Sequence, residues 1–269
     1  MTRVNHNRPL VILTIAHVLF GLVIGFLAED GPGNFLMVVY LGLFFSQTSL
    51  VGIWGGLSTF GWAIRFVGVT IGMAYLVLHM FFSLGQWNLS IVALVILPTV
   101  AVTALMVFVR RFFGRLERNS KPWTSENKEG LQFTIRHLML LTLIVSCMLA
   151  IGRWLRPYFL HADELAVILT LSLCFVSVGV TSVWALLGRS HLFVRSCVVL
   201  CIGAGAGCVP GLFLRQDGGV HWQWIALMIV QAAVLLGSLF VVRQCGFRLV
   251  RIPFKGNRLN DGLQQGPLH

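Results

Sequence analysis

Four polar side chains within long apolar stretches are the residues of this chain best placed to do chemistry. They are His17, Gln47, His79 and Gln231. Polar groups inside apolar segments are costly in lipid, so each one is a candidate functional residue. Together they could line a polar pocket between helices. The alternative is that each is satisfied by a hydrogen bond to a neighbouring helix, worth about 0.6–2 kcal/mol.

The sequence offers little support for other chemistry. Apart from Glu164 at the edge of one apolar stretch, these stretches contain no Asp, Glu or Lys, which argues against a carboxylate-based proton or sodium site. Cys197 and Cys201 share a helical face, but no His or third Cys stands at ligand spacing, so we expect no metal site. Without a nucleophile elbow, Walker loop or dinucleotide fingerprint, we expect neither a cofactor nor an enzyme activity.

The composition indicates which elements carry these residues. The chain has 269 residues, 57% hydrophobic and 11% charged, and a mean hydropathy of +0.85. Soluble domains are about 25% charged, and a bilayer-spanning helix needs about 20 apolar residues. The sequence therefore predicts an all-α, polytopic transmembrane helical bundle. Its eight apolar runs predict spans at 9–28, 35–55, 61–83, 89–112, 137–157, 164–187, 191–213 and 222–243.

The longest polar stretch divides the chain into two halves. It contains Pro122 and most of the charge in the middle of the sequence. The predicted organisation is a first four-helix transmembrane repeat at 1–112, a basic cytoplasmic linker at 113–134, a second four-helix repeat at 135–243 and a basic cytoplasmic tail at 244–269.

The distribution of Lys and Arg predicts the orientation. One side of the predicted topology carries 17 of the 20 basic residues, and the other carries Arg153, Arg156 and Arg215. Basic residues concentrate in cytoplasmic loops, so we expect a multi-pass protein of the cell (inner) membrane with both termini cytoplasmic. The net charge of +11 then indicates contact with anionic lipid head groups rather than nucleic acid. A membrane-protein partner is a further possibility.

The two halves share scarce residues at a fixed spacing. Trp54 and Arg65 recur 130 positions later as Trp184 and Arg195. A duplication with four spans in each half would give a parallel repeat about an axis normal to the membrane. We interpret these Trp and Arg residues as interfacial anchors, with the Arg side chains reaching towards the head groups. The alternative is a symmetric pair of arginines facing a vestibule for an anion.

One short segment resembles a known group of proteins. Residues 132–142, QFTIRHLMLLT, resemble the Q-F-[ST]-[IL]-R-x-L-[LM]-L-L-T signature at the start of a membrane helix in many multi-pass membrane proteins of planctomycete-type bacteria. The resemblance covers about 25 residues, with the helix that follows. It implies a bacterial multi-pass membrane protein, and it implies no activity, because that group has no agreed one.

Two function classes remain open at the level of sequence. The first is a solute transporter or permease-like component whose path runs between the two repeats, as repeats and proline-kinked helices favour. The second is a non-catalytic membrane scaffold or a subunit of a membrane complex, for which close helix contacts suffice. A water-filled interior would favour the first class, and a dry, packed interior would favour the second.

Overall fold

The computed structural model describes seven helices and one short strand pair. The described residues are 8–29, 34–58, 60–84, 89–112, 115–118, 162–187, 192–213, 222–245 and 247–250. The helices are α1 (Arg8–Glu29), α2 (Asn34–Leu57), α3 (Trp62–Leu84), α4 (Leu89–Phe112), α5 (Ala162–Leu187), α6 (Leu192–Phe213) and α7 (Trp222–Gln244). The predicted span 137–157 and the segment 132–142 lie outside the described residues.

The all-α bundle is confirmed, and so is its membrane-spanning character. Each described helix begins and ends within two residues of a predicted span. In the part of the chain that the structure describes, the six helices α2 to α7 are long and apolar enough to cross a bilayer. In α1, the described apolar stretch Ile12–Val23 is shorter than a bilayer-spanning helix requires. The total of eight spans therefore stays a prediction.

Helices α2, α4, α5 and α7 form the centre of the bundle. Helix α2 packs on α4 and α7, and α5 packs on the same two helices from the other side. Helix α3 packs mainly on α2, whereas α6 packs on both α5 and α7. Helix α1 lies against α2, α3 and α7. The outward faces of α3 and α6 carry exposed large apolar side chains such as Phe66, Phe82 and Phe193, as expected of lipid-facing helices.

Helices α2 and α5 meet at the centre through residues at matching positions. The rings of Phe45 and Phe175 are stacked with their centroids 4.0 Å apart. One turn further on, a Cβ built on Gly179 would lie 3.4 Å from Ser49 Oγ. Both pairs are separated by 130 positions, the same spacing as the Trp and Arg pairs of the sequence. Each pair thus brings together two residues that the predicted repeat would make equivalent.

Glycines set the closest helix contacts. A Cβ on Gly42 would stand 2.7 Å from Val230 of α7, and one on Gly52 would stand 2.9 Å from Val102 of α4. Such distances leave no room for a methyl group, because protein interiors are already packed to crystal-like density. The missing side chains let α2 approach both of its central neighbours, as small residues do at helix interfaces in membranes.

A two-stranded antiparallel ladder joins the linker to the tail. Strand β1 (Arg115–Arg118) follows α4, and strand β2 (Phe247–Val250) follows α7. In the register, Leu116 stands opposite Leu249. The sequence analysis did not predict this pair of strands: it assigned β1 to the polar linker and β2 to the basic tail. The pairing connects the ends of the two halves.

Candidate functional site

His17 lies on α1 with an oxygen atom facing each ring nitrogen. Its Nδ1 is 3.0 Å from the carbonyl oxygen of Leu13, one turn earlier on the same helix. Its Nε2 is 3.1 Å from the hydroxyl oxygen of Ser238 on α7. The Ser238 hydroxyl is also 2.7 Å from the carbonyl oxygen of Val234, to which it donates a hydrogen bond. His17 therefore connects the first described helix to the last.

Gln47 on α2 reaches the same part of α1. Its Nε2 donates a hydrogen bond of 3.0 Å to the backbone carbonyl of His17. Gly21, one turn after His17, makes this approach possible, because a Cβ there would lie 3.1 Å from the Gln47 amide nitrogen. The same Cβ would lie 4.0 Å from Nε2 of His79. Three of the four predicted pocket residues therefore surround Gly21, where α1, α2 and α3 meet.

His79 is enclosed by aromatic rings. Its imidazole is stacked against Tyr75, with an interplanar angle of 3° and a centroid distance of 5.9 Å. Phe44 stacks at 6.1 Å, and Tyr40 approaches edge-on at 5.8 Å. The side chain is buried. We call the group formed by His17, Gly21, Gln47, His79 and Ser238 the His17 cluster.

Gln231, the fourth predicted pocket residue, lies apart from the His17 cluster. Its Nε2 donates a hydrogen bond of 3.3 Å to Ser49 Oγ on α2, and Ser49 in turn donates to the carbonyl of Phe45. Ser49 is two residues from Gln47, which places the two side chains about 200° apart around α2. The Gln231 side chain is fully buried, and its Oε1 has no hydrogen-bond partner among the described residues. The structure therefore divides the predicted pocket into two polar contacts.

The predicted anchor residues meet backbone carbonyls at one end of the bundle. Arg65 donates from Nη1 to the carbonyls of Gly55 and Gly56, each at 3.4 Å, in the last turn of α2. Arg195 donates to the carbonyl of Trp184 at 3.3 Å in α5, and its guanidinium lies 4.6 Å from the centre of the Trp184 ring. A positive charge at a helix C-terminus is favourable, because the last carbonyls lack partners within the helix.

Two further arginines bind at the same two helix ends. Arg110, near the end of α4, donates to the carbonyl of Ser58 just after α2. Arg243, near the end of α7, donates to the carbonyl of Leu186 in α5 at 2.7 Å. We call the end of the bundle that holds Arg65, Arg110, Arg195 and Arg243 the arginine end. All four belong to the basic set that the sequence analysis assigned to one side of the membrane.

Trp54 differs from Trp184 in its contacts. Its ring packs against Gly68 of α3 and lies 6.3 Å from the ring of Phe60, and the residue is 40% exposed. No contact between Trp54 and Arg65 corresponds to the Arg195–Trp184 stack among the described ring contacts. The two predicted anchor pairs thus share their position in the fold and differ in their local contacts.

Sequence reasoning missed three residues that complete these contacts. Ser49 and Ser238 escaped notice because serine is common in membrane helices and usually bonds to its own backbone. Ser238 follows Gln231 by seven residues, which puts both on one face of α7. That spacing was the available signal. Arg110 was placed at the end of the predicted span 89–112 and counted only for its charge, so its bond to the Ser58 carbonyl was not predicted.

The comparisons with known proteins give no family for the chain. No protein-family model, no curated protein and no solved structure matches it. Within the described residues, no three His, Cys, Asp or Glu side chains stand close enough together to hold a metal ion. The geometry of the two polar contacts and of the central helices therefore carries the functional argument.

Proposed function

We propose that the protein is a non-catalytic, multi-pass membrane subunit whose packed bundle serves as a scaffold in a membrane complex. The observation that carries this proposal is the filled centre between the two halves. At the place where α2 meets α5, Phe45 stacks on Phe175. Val95 of α4 and Met228 of α7, in the same apolar cluster, are fully buried.

Close backbone contacts on both sides of α2 add to this argument. Gly42 and Gly52 admit α7 and α4 so closely that a single methyl group would collide with Val230 or Val102. A channel needs room for water along its axis, and these two contacts leave none where they lie. Such close packing favours a scaffold over a conduit.

The distribution of charge supports a topology for the proposed subunit. We place the arginine end in the cytoplasm of a bacterial cell, with the protein in the inner membrane, both termini inside and anionic lipids as neighbours. The support is that the four arginines of this end belong to the more basic side of the sequence. The seven described helices and the predicted span 137–157 together give eight spans. An even number of spans is what this topology requires.

Cysteine labelling tests the packing and the topology together. In a variant whose native cysteines are replaced by alanine, Ser49→Cys puts a thiol at the contact between the halves. Gly61→Cys puts one at the arginine end, where a Cβ meets nothing within 4 Å. We expect a membrane-impermeant maleimide to label Gly61→Cys in inverted vesicles and not in intact cells. We expect no labelling of Ser49→Cys from either side.

The labelling of Ser49→Cys tests the packing, and the labelling of Gly61→Cys tests the topology, so either prediction can be wrong without the other. Labelling of Ser49→Cys would mean that water reaches the centre, and the scaffold proposal would then give way to a transport function. Labelling of Gly61→Cys in intact cells would mean that the arginine end faces the outside of the cell. That result would refute the proposed topology and leave the close packing of the centre unaffected. The Gly61→Cys signal also controls for reagent access and expression.

A permease-like component is the second candidate, and the His17 cluster is the observation that favours it. His17, Gln47 and His79 gather where α1 meets α2 and α3, away from the packed centre. A path along α1 would use polar groups that a pure scaffold does not need. Uptake by liposomes that contain the purified protein, compared with the His17→Phe variant, separates this function from the scaffold.

We also propose that the two halves form a parallel four-plus-four repeat. The support comes from residues that face their own counterparts, namely Phe45 with Phe175 and Ser49 with Gly179, and from the matching arginine contacts at the ends of α2 and α5. The ladder adds a third such pair. The segments around β1 and β2 share an R-L-x-R pattern in which Leu116 corresponds to Leu249, and these two residues stand opposite each other.

A disulfide between the two strands tests this pairing. We expect Leu116→Cys with Leu249→Cys, in the same cysteine-free background, to cross-link under mild oxidation, because opposite positions of an antiparallel pair lie within about 5.5 Å. The matched control is Leu116→Cys with Phe247→Cys, two positions out of register. Equal cross-linking of both pairs would refute the register and weaken the case for the repeat.

A further inference from the structure

The hydrogen bonds around His17 fix the state of one ring nitrogen. Nδ1 lies 3.0 Å from the Leu13 carbonyl oxygen, and a carbonyl can only accept a hydrogen bond. Nδ1 must therefore carry a proton whenever this bond is formed. The neutral imidazole is then the tautomer whose Nε2 has a free lone pair, since which nitrogen is protonated follows from its partners.

The Ser238 hydroxyl faces two acceptors when His17 is neutral. Its single proton can go to His17 Nε2, at 3.1 Å, or to the Val234 carbonyl, at 2.7 Å. A hydroxyl has one donor and two acceptor lone pairs, so it cannot serve both. When His17 is neutral, only one of these two contacts of Ser238 can be a hydrogen bond, and the other places two acceptor atoms side by side.

Protonation of His17 resolves this conflict. An imidazolium donates from both nitrogens, so Nε2–H points at Ser238 Oγ, which accepts it and donates its own proton to Val234. All three contacts then contain a hydrogen bond. We propose that His17 is a proton-binding site within the membrane, completed by Ser238 as a hydroxyl that reverses its direction when the proton binds. The step transfers one proton from a hydronium ion to Nε2, which forms one N–H bond and leaves one water molecule.

Among the described residues, the helices packed against α1 carry no acidic side chain that could act as a counter-charge for this proton. The titratable or charged residues on the helices packed against α1 are Tyr40 on α2, Arg65, Tyr75 and His79 on α3, and Arg243 on α7. The two arginines bind carbonyls at the arginine end. His79 lies near Gly21 and Gln47 and is stacked against Tyr75. Uncharged oxygen acceptors, rather than an acid, therefore hold the imidazolium.

This site goes beyond the scaffold function and does not depend on it. In a scaffold, it would make the contact between α1 and α7 respond to pH, because the charged state has one more hydrogen bond across or beside that contact. In a permease, the same site would supply the proton-binding group that the apolar stretches lack as a carboxylate.

Solid-state NMR of the full chain tests the proposal directly. The protein is labelled with ¹⁵N-histidine and reconstituted in bilayers of phosphatidylethanolamine and phosphatidylglycerol, and the His17 signals are assigned by their loss in His17→Asn. We expect a neutral form protonated at Nδ1 alone, and an imidazolium when the sample is acidified. A His17 that is protonated at Nε2 alone, or that gains no proton on acidification, would overturn the proposal.

Serine variants distinguish a proton site from a merely structural contact. At the pH where half of the native His17 is charged, we expect Ser238→Ala to cut the charged share to about one tenth, a tenfold change equivalent to about 1.4 kcal/mol. Ser238→Thr keeps the hydroxyl and should restore the native share. Ser182→Ala is the matched control, because Ser182 bonds to its own helix at Val178 and does not contact a histidine. An unchanged share in Ser238→Ala would refute the role of the hydroxyl even if His17 binds a proton.

Discussion

The first and second halves of the bundle share a skeleton and differ in their interiors. Arg65 of α3 and Arg110 of α4 bind carbonyls at the end of α2, and Arg195 of α6 and Arg243 of α7 bind carbonyls in the last turn of α5. The polar groups in the middle of the helices do not match in this way. Gln47 of α2 bonds to α1, whereas Ser177 of α5, 130 positions later, bonds to its own helix among the described residues.

The glycines show a second difference between the halves. In the first half, Gly68 and Gly72 let α3 approach α2, where they meet Trp54 and Val51. In the second half, Gly203 and Gly207 let α6 approach α7. The glycines of α3 thus allow a close contact with α2, whereas the glycines of α6 allow a close contact with α7. Arginines bind carbonyls at the helix ends in both halves, whereas close packing and the polar groups in the middle of the helices differ.

The largest expected effects come from filling the glycine contacts. We expect Gly207→Leu to lower the free energy of unfolding by about 3 kcal/mol or more, because a Cβ there already stands 2.5 Å from the backbone of Ile225. Gly56→Leu should do the same in the first half, where a Cβ would collide with Met106. Unfolding of the purified protein by SDS in mixed micelles measures both.

Gly237 provides the control for these substitutions. It lies in α7, and a Cβ there meets nothing within 4 Å. Gly237→Ala should leave the stability unchanged or raise it by up to about 1 kcal/mol, because alanine is the better helix former. If Gly207→Leu were as harmless as Gly237→Ala, the close approach of α6 to α7 would be wrong.

Removing the arginines should have a smaller and unequal effect. We expect Arg65→Ala to cost about 0.5–1 kcal/mol, the worth of a positive charge at a helix C-terminus. Arg195→Ala should cost about 1–2 kcal/mol, because it also loses the stack on Trp184. The same SDS titration measures the difference. Arg195→Lys keeps the charge without the planar stack and should fall between the native protein and Arg195→Ala.

Substitutions of the two glutamines should have effects on stability that differ in direction. Gln47→Leu loses its bond to the His17 carbonyl and should destabilise the protein by about 0.6–1.7 kcal/mol. Gln231→Leu removes a bond to Ser49 together with a buried oxygen that has no partner, so stability should stay the same or rise by up to about 1 kcal/mol. A large loss in Gln231→Leu would mean that its Oε1 binds something that the protein needs, such as a water molecule.

The sequence predicted the helices well because their signal is simple. A run of about 20 apolar residues bounded by Gly, Pro or charged residues has few alternatives in a bilayer. The ladder was not predictable in the same way. Arg115–Arg118 contains three charged residues in four and no alternation of apolar and polar types, and its partner lies more than 120 residues away. The two strands have one feature in common at the level of sequence. Each one comes just after the last helix of its half.

The candidate site was predictable in its residue types and not in its grouping. His17, Gln47 and His79 stand out as polar residues in apolar runs, and the structure brings them together around Gly21. Gln231 has the same signal, yet the rotation of α2 directs its partner Ser49 away from Gln47. Which polar residues meet depends on helix rotation and packing, and neither can be read from hydropathy.

The bond between His17 and Ser238 sets a limit on the order in which the protein can assemble. These residues are 221 positions apart, so the first described helix acquires its contact with α7 only after nearly all of the chain has been made. At about 5–20 residues per second, the ribosome needs roughly 11 to 44 s to cover that distance. Until then, His17 lacks its Ser238 partner, so the contact between α1 and α7 can form only late in synthesis.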